Sequence, residues 1–158
     1  MSVSQSVNGT SYALPTAGDT DWGALLTTFL QGLAASFSSV FTFGNSVTAA
    51  GSGFVAPGLY STVTGATEAF YTVPMAGRLK ALYCKSAGAP AGGTVVFTVR
   101  INGVDTALLC TLADGATTAS DIVNSVVVAA GSTLSMKCVS TAATQPTFPV
   151  LTMAFVPG

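Results

Sequence analysis

Histidine is absent from this sequence of 158 residues, and charged residues make up only 7% of it. Without histidine there is no Ser-His or Cys-His pair to activate a nucleophile, and the commonest general base is missing. The six carboxylates are scattered, and no glycine-rich loop is followed by the Lys-Ser or Lys-Thr of a phosphate site. We therefore expect that the protein is not an enzyme and that it uses no cofactor or metal ion.

Basic residues are few and unevenly placed. There are five, the net charge is -1, and none of the first 77 residues is positive. A nucleic-acid surface needs clustered Lys and Arg to displace counterions, and a secretory signal needs a basic region ahead of its apolar segment. The sequence shows neither pattern, so we expect no nucleic-acid partner and no secretory leader.

The low charge content also bears on self-association. Soluble domains usually contain about 25% charged residues, and monomers seldom expose large contiguous apolar patches. We expect that copies of the chain or a larger assembly cover much of the surface. The alternative is a monomer kept in solution by its many Ser, Thr and Asn residues.

One amphipathic helix is predicted over about residues 20–37. Apolar residues recur there at i, i+3, i+4 and i+7, and Asp19, Thr20 and Asp21 suit its N-terminus. Polar residues interrupt the apolar run, whereas a membrane span needs about 20 predominantly apolar residues. The helix is therefore predicted to dock on another protein or on its own oligomer, through a stripe that contains Trp22, Leu26, Phe29, Leu30 and Leu33.

The rest of the chain is predicted to form strands. Short apolar or alternating segments separated by turn clusters are typical of a sandwich, with a jelly roll among the natural options. The predicted strands are residues 54–62, 68–73, 78–86, 94–101, 104–112, 121–128, 133–140 and 148–156. The fold class is therefore all-β, an antiparallel jelly-roll sandwich (residues 53–158) preceded by an extended arm and the docking helix (residues 1–52).

Asn102-Gly103 sets one strand register. This pair favours a two-residue type I′ turn, which places Ile101 opposite Val104 and Arg100 opposite Asp105. One face of this hairpin is apolar except for Thr106 and is the predicted core face. It carries Val95, Phe97, Val99 and Ile101 with Val104, Thr106, Leu108 and Cys110. The other face is polar near the turn and apolar farther away, which suggests that it packs against another subunit.

Two residue types have competing interpretations. Cys84, Cys110 and Cys138 lie in apolar runs without metal-type spacing, so they are predicted to be small buried hydrophobes of a protein made in a reducing cytoplasm. The aromatic side chains that could stack on a sugar are those of three strand tyrosines, although a strand aromatic is more often part of the packing. These tyrosines are Tyr60, Tyr71 and Tyr83.

Two segments resemble known proteins. The run GTVVFTVRINGVDTALLCTLADGATTASDIVNSVVVAAGSTLSMKCVST, within residues 66–157, resembles the trimeric jelly-roll modules of the C1q and TNF type, in particular those of bacteriophage and spore-surface proteins. The N-terminal segment, with Leu14-Pro15, Gly18, Trp22-Gly23 and a leucine stripe that ends at Leu33-Ala34, is similar to leaders found ahead of phage virion fibre and accessory proteins.

The first resemblance implies a tight homotrimer with apolar residues along its threefold axis. The candidate trimer-interface residues, taken from partly apolar strand faces, are Leu82, Leu109, Leu151, Met153 and Phe155. The second resemblance implies that the N-terminal part fastens the protein to a particle while the jelly roll faces outward. The chain departs from long fibres because it has no coiled-coil or β-helical shaft.

The sequence thus favours a structural accessory protein of a phage virion, made in the host cytoplasm. It would be a homotrimer that decorates the capsid or forms a short head fibre, with the major capsid protein or another virion protein as partner. An alternative is the receptor-binding tip of a tail fibre or spike, which would hold a host surface glycan on loops 86–93 or 113–120. A bacterial C1q-like surface module is the third hypothesis.

Overall fold

The computed structural model describes residues 3–7, 10–14, 21–36, 39–44, 53–58 and 68–158. Within these residues the chain forms one helix and eleven strands. Their bounds are β1 Val3–Val7, β2 Thr10–Leu14, α1 Trp22–Ser36, β3 Ser39–Gly44, β4 Gly53–Pro57, β5 Phe70–Thr72, β6 Gly77–Lys85, β7 Val95–Ile101, β8 Val104–Leu112, β9 Thr118–Val128, β10 Thr133–Ser140 and β11 Val150–Pro157.

The fold class predicted from the sequence is confirmed: the chain is an all-β, antiparallel, jelly-roll-like sandwich with a single short helix in its described part. The main sheet has nine strands. Eight follow one another in the order β8-β7-β10-β4-β3-β11-β6-β9, and the ninth, β5, pairs with β10 beside β4. β4 and β3 share only the pair Gly44–Ala56, and the sheet divides there into two packed halves. The end strands β8 and β9 lie next to each other, so the sandwich is nearly closed.

The core lies between the two halves. It is made of side chains from alternate positions of the strands, as expected for sheets that each bury one face. The largest fully buried side chains are Phe43, Phe97, Leu79, Leu82, Leu108, Leu112, Leu134, Met136, Leu151 and Met153.

All eight predicted strands are present, but three further strands were not predicted. β1 and β2 form an antiparallel hairpin within the predicted arm. β3 pairs with β11 over six residues, and Phe43 on β3 is fully buried. The boundary predicted at residue 52 is therefore wrong, because a strand that supplies the core precedes it; the sheet begins at Ser39. Residues 59–62 of the predicted strand 54–62 lie outside the described residues.

The predicted hairpin register is confirmed at the turn, where Arg100 pairs with Asp105 and Ile101 with Val104. Asn102 and Gly103 both have positive φ, 51° and 77°, as a type I′ turn requires. The core face is also as predicted except at Val104, whose side chain is exposed beside the turn.

A β-bulge corrects the prediction for Leu82. Strict alternation would place Leu82 on the outer face with Arg78 and Lys80. Ala81, with φ 53°, is an extra residue of β6 relative to β11, and the pairing shifts there. A bulge moves every later side chain to the opposite face, so Leu82 enters the core.

Three more predicted interface residues lie in the core. Leu151, Met153 and Phe155 are buried on the inner face of β11, while the outer face carries smaller side chains such as Thr152 and Ala154. Both faces of β11 are largely apolar, so alternation alone did not show which one faces inward. With Leu82, these residues are core residues of a single chain and are withdrawn as trimer contacts.

Candidate functional site

The predicted helix is present as α1, and Asp21 lies immediately before its first residue. The Asp21 carbonyl accepts a hydrogen bond from Leu25 N–H at 3.0 Å. Leu26 and Leu30, one helical turn apart, are 41% and 51% exposed, and Phe29 is half-buried. Three of the five predicted docking residues therefore have described side chains, and two of these are open to a partner. Trp22 and Leu33 lie on α1, but their side chains fall outside the described part of the chain. Asp19 and Thr20, which were predicted to cap the helix, lie outside the described residues altogether.

Leu109 is the one predicted trimer-interface residue with an exposed side chain. It lies on β8, next to a distortion of β9. Three residues of β9, Ile122 to Asn124, stand opposite the single residue Ala81 of β6, between the pairs Lys80–Ser125 and Leu82–Asp121. The extra residues protrude from the sheet beside Leu109.

The Asp121 carboxylate holds this protrusion in shape. Its Oδ1 accepts hydrogen bonds from Val123 N–H at 3.2 Å and Asn124 N–H at 3.0 Å. Its Oδ2 accepts from Leu109 N–H at 3.2 Å and from the Asn124 side-chain amide at 3.0 Å. Burial opposes ionisation of Asp121, but the hydrogen bonds outweigh it and hold the pKa below its usual range. A carboxylate thus links β8 to β9 at the seam of the sandwich.

The bulge exposes two consecutive apolar side chains. In a regular strand one of two neighbours would face inward, whereas Ile122 is 65% exposed and Val123 is 88% exposed. With Leu109 they form what we call the seam surface: Leu109, Ile122 and Val123. Sequence reasoning missed two of these three residues. Asp121 is the residue that could have indicated a bulge here, since Asp is depleted in strands and readily forms hydrogen bonds with nearby backbone N–H groups.

The outer face of β7, β8 and β10 carries an ion-pair network. Arg100 contacts Glu68 at 2.8 Å and Asp105 at 2.7 Å, and Lys137 contacts Asp105 at 2.6 Å. The Arg100 guanidinium also lies 5.3 Å from the centre of the Phe54 ring. The hydrogen bond from Lys137, together with its charge and that of Arg100, holds the pKa of Asp105 below its usual range. The network has two positive and two negative groups, so it leaves no net charge on this face.

The outer face of β6 is different. Arg78, Lys80 and Lys85 are exposed there, and no carboxylate of the described residues forms an ion pair with them. Tyr83, between Lys80 and Lys85, is 52% exposed. A shallow groove of about 480 Å³ runs beside it, lined by Lys85, Thr118, Ser120, Thr152 and neighbouring residues.

The other two tyrosines do not join this groove. Tyr71 donates its hydroxyl hydrogen to the Thr42 carbonyl at 2.9 Å and packs against the rings of Phe41 and Phe43. It therefore has the packing role that strand aromatics most often have. Tyr60 lies outside the described residues.

No protein-family model and no curated protein matches this chain. Among the residues that the structure describes, no group of three or more Cys, Asp or Glu side chains could hold a metal ion. None of the helices in the described part is long and apolar enough to cross a membrane.

Proposed function

We propose that this protein is a structural accessory subunit of a phage virion, a homotrimer that decorates the capsid or forms a short head fibre. Exposed apolar side chains occur at several places on the described surface, and two groups of them carry the proposal: the seam surface, with two consecutive exposed residues, and the α1 stripe of Leu26 and Leu30. Exposed apolar patches of this kind mark interaction sites. Two such sites suit a subunit that binds both its own copies and a platform. The proposal that this platform is a virion rests on the sequence resemblance of the N-terminal segment and the jelly roll to phage proteins.

The seam surface is the better candidate for self-association because of charge. Contact between copies through the outer face of β6 would bring together three positive side chains from each chain, and like charges at an interface are unfavourable. The three side chains of the seam surface are uncharged, and two of them are β-branched, so they lose little conformational freedom on burial.

Val123→Asp tests the trimer. Val123 is 88% exposed, so the substitution leaves the core of the chain intact while placing a charge in the proposed interface. We expect native mass spectrometry to show a trimer for the wild type and a monomer for the variant. Met75→Asp, at an exposed loop position away from the seam, is the matched control and should remain trimeric. A wild type that is monomeric at micromolar concentration would refute the homotrimer.

Docking is tested on α1. Leu26→Ser and Leu30→Ser should weaken co-sedimentation of the trimer with capsids of the phage that encodes it, while Ala24→Ser, at an exposed position of the same helix, should not. Both leucines are open in the structure, so their loss removes apolar contact area without emptying the core. If every variant co-sedimented with capsids as well as the wild type does, docking through this stripe would be excluded.

A second candidate function is recognition of a host surface glycan, as at the tip of a tail fibre. The Tyr83 groove favours it, because an exposed ring flanked by hydroxyl groups suits the apolar face and the hydroxyls of a sugar. The groove lies beside loops 86–93 and 113–117, which are joined by hydrogen bonds from Gly92 N–H to Asp114 at 3.1 Å and from Gly115 N–H to the Pro90 carbonyl at 2.9 Å. Saturable binding to host cells that Tyr83→Ala abolishes and Phe70→Ala preserves would favour this function over decoration.

A further inference from the structure

The β-bulge in β6 gathers positive charge and an aromatic ring on one surface. Four side chains are exposed on the outer face of this strand: Arg78, Lys80, Tyr83 and Lys85. Strict alternation would leave Tyr83 and Lys85 on the face opposite Lys80, and the inserted residue turns them outward. Arg78 donates a hydrogen bond to the Ser125 hydroxyl at 2.9 Å. Neither lysine ammonium has a hydrogen-bond or ion-pair partner among the described residues.

The strands beside β6 bring hydroxyl and small apolar side chains to this face. Residues that pair across an antiparallel sheet lie on the same face. The partners of Lys80, Tyr83 and Lys85 are Ala154, Thr152 and Val150 on β11 and Ser125, Ser120 and Thr118 on β9. The carboxylate of β9, Asp121, pairs instead with Leu82, which faces inward. A ligand on the outer face of β6 therefore meets ammonium groups and hydroxyls without a competing carboxylate.

Two hollows adjoin at the Tyr83 ring. The Tyr83 groove, of about 480 Å³, extends to Lys85. A second hollow of about 180 Å³ extends to Ala154, the residue that pairs with Lys80. Tyr83 and Thr152 line both hollows, so together they follow the outer face of the sheet between the two lysines. Lys80 and Lys85 are five residues apart, which is roughly 15 Å along a strand.

The chemistry of the two hollows suits an acidic sugar polymer. The exposed Tyr83 ring can pack on the apolar face of a sugar, and the hydroxyl groups of Thr118, Ser120 and Thr152 can exchange hydrogen bonds with sugar hydroxyls. Each lysine ammonium can pair with a carboxylate. An anionic membrane recruits clusters of about 4–8 basic residues, and a nucleic acid likewise needs many phosphate contacts. Three positive side chains spread along one strand fit single charges on separate sugars better.

We propose that the outer face of β6 binds a carboxylate-bearing polysaccharide, with a sugar ring on Tyr83 and carboxylates on Lys80 and Lys85. The inference rests on the second candidate function above, recognition of a surface glycan, and it names the class of glycan. The bulge in β6 is what makes the site, because it brings the ring and Lys85 to the same face as Lys80.

The test separates the contribution of charge from that of sugar. Four polymers of matched length are titrated against the full-length protein at low salt by biolayer interferometry. Polygalacturonate and polysialate carry a carboxylate on each sugar, the methyl ester of polygalacturonate keeps the sugar without the charge, and poly-L-glutamate keeps the carboxylate without the sugar. We expect at least one of the two acidic polysaccharides to bind about tenfold or more tightly than the ester and poly-L-glutamate. High salt should weaken this binding.

Variants locate the binding on the β6 face. Lys80→Gln and Lys85→Gln should each weaken binding of the acidic polysaccharide about tenfold, and Tyr83→Ala should do the same, while Tyr83→Phe keeps the ring and should keep the affinity. Lys137→Gln is the matched control, because it removes one positive charge from the other half of the sandwich. It should change the affinity less than about twofold, since a distant exposed charge is screened.

The possible failures have different meanings. If the methyl ester bound as tightly as polygalacturonate, selection for carboxylates would be overturned and glycan recognition would remain. If poly-L-glutamate bound as tightly as the acidic polysaccharides, the sugar would be irrelevant, and an acidic protein would replace the glycan as the partner. If neither acidic polysaccharide bound, the proposal would be overturned. The binding of host cells, with Tyr83→Ala as the variant, then shows separately whether glycan recognition itself survives.

Discussion

Asp121→Asn removes the charge that shapes the β9 bulge while keeping the size of the side chain. Each carboxylate oxygen accepts two hydrogen bonds. With its NH₂ group at the Oδ1 position, the new amide would face two backbone donors, Val123 N–H and Asn124 N–H. With its NH₂ group at the Oδ2 position, the Asn124 amide can turn to accept from it, and only Leu109 N–H loses its acceptor. The second orientation is the less costly, so the variant loses at least one hydrogen bond, and the remaining bonds lose their charged acceptor.

The expected loss of stability follows from the Leu109 bond and from the weakening of the others. A hydrogen bond to a charged group contributes roughly 1.5 kcal/mol or more, so the free energy of unfolding should fall by about 1.5–3 kcal/mol. For a domain of this size, Tm should fall by roughly 3–12 °C at neutral pH. The bulge should also relax toward regular pairing, which would turn one of Ile122 and Val123 away from solvent and weaken the proposed trimer.

Thermal melts followed by circular dichroism measure the first effect, and native mass spectrometry measures the second. Asp114→Asn is the matched control, because Asp114 is an exposed loop carboxylate that accepts one hydrogen bond, from Gly92 N–H. We expect its Tm to change by less than about 2 °C. A similarly small change for Asp121→Asn would refute the view that this carboxylate holds the bulge.

The pH dependence of stability tests independently whether folding lowers the pKa of Asp121. The folded-state pKa of Asp121 is lowered, so its stabilisation is fully present above the unfolded value of about 3.9 and is lost as the pH falls through the folded value. The stability gap between wild type and Asp121→Asn should therefore be constant near neutral pH and should narrow below about pH 4. A gap that widened on acidification would contradict the lowered pKa.

Three further predictions test the packing. Gly77→Ala should destabilise the fold by roughly 1–3 kcal/mol or more, since its Cβ would lie 2.5 Å from the Val156 carbonyl oxygen; a chemical denaturation curve measures this. Leu151→Ala should cost about 2–5 kcal/mol by the same assay, because Leu151 is fully buried within one chain, and the trimer should persist in the molecules that remain folded. Arg100→Met should cost roughly 1–3 kcal/mol by leaving the partly buried Glu68 without its cation, and high salt should narrow the difference from wild type.

The parts of the fold that sequence predicted are those where pattern and turn chemistry agree. Asn102-Gly103 permits only a few turn types, so the β7–β8 register could be predicted at the turn, where Arg100 pairs with Asp105. It could not be predicted farther along, because the pairing shifts between Thr98 and Arg100. α1 shows helical spacing over fifteen residues, and it was predicted to within two residues at each end. β3 was missed because its serine- and glycine-rich surroundings suggest a linker, and its place in the sheet depends on the distant strand β11.

The errors at the candidate interface have a different origin. Alternation assigns side chains to two faces, but it cannot locate a bulge, and one inserted residue reverses every later assignment. Ala81 does this to Leu82 on β6. On β9 the bulge at Ile122 to Asn124 exposes neighbours that alternation would separate. Both bulges depend on contacts between strands, and neither Ala81 nor Ile122 belongs to a residue type that marks a bulge.

The distribution of charge limits where a partner can bind. The four carboxylates between residues 68 and 158 all accept hydrogen bonds or form ion pairs within the chain: Glu68, Asp105, Asp114 and Asp121. The exposed positive side chains on the outer face of β6 have no such internal counterpart among the described residues. A copy of the same chain therefore presents few available negative charges to that face, whereas an acidic or sialylated surface would complement it. This distribution supports the proposal that copies of the chain associate through the uncharged seam surface, and it favours a partner of different composition at the β6 face.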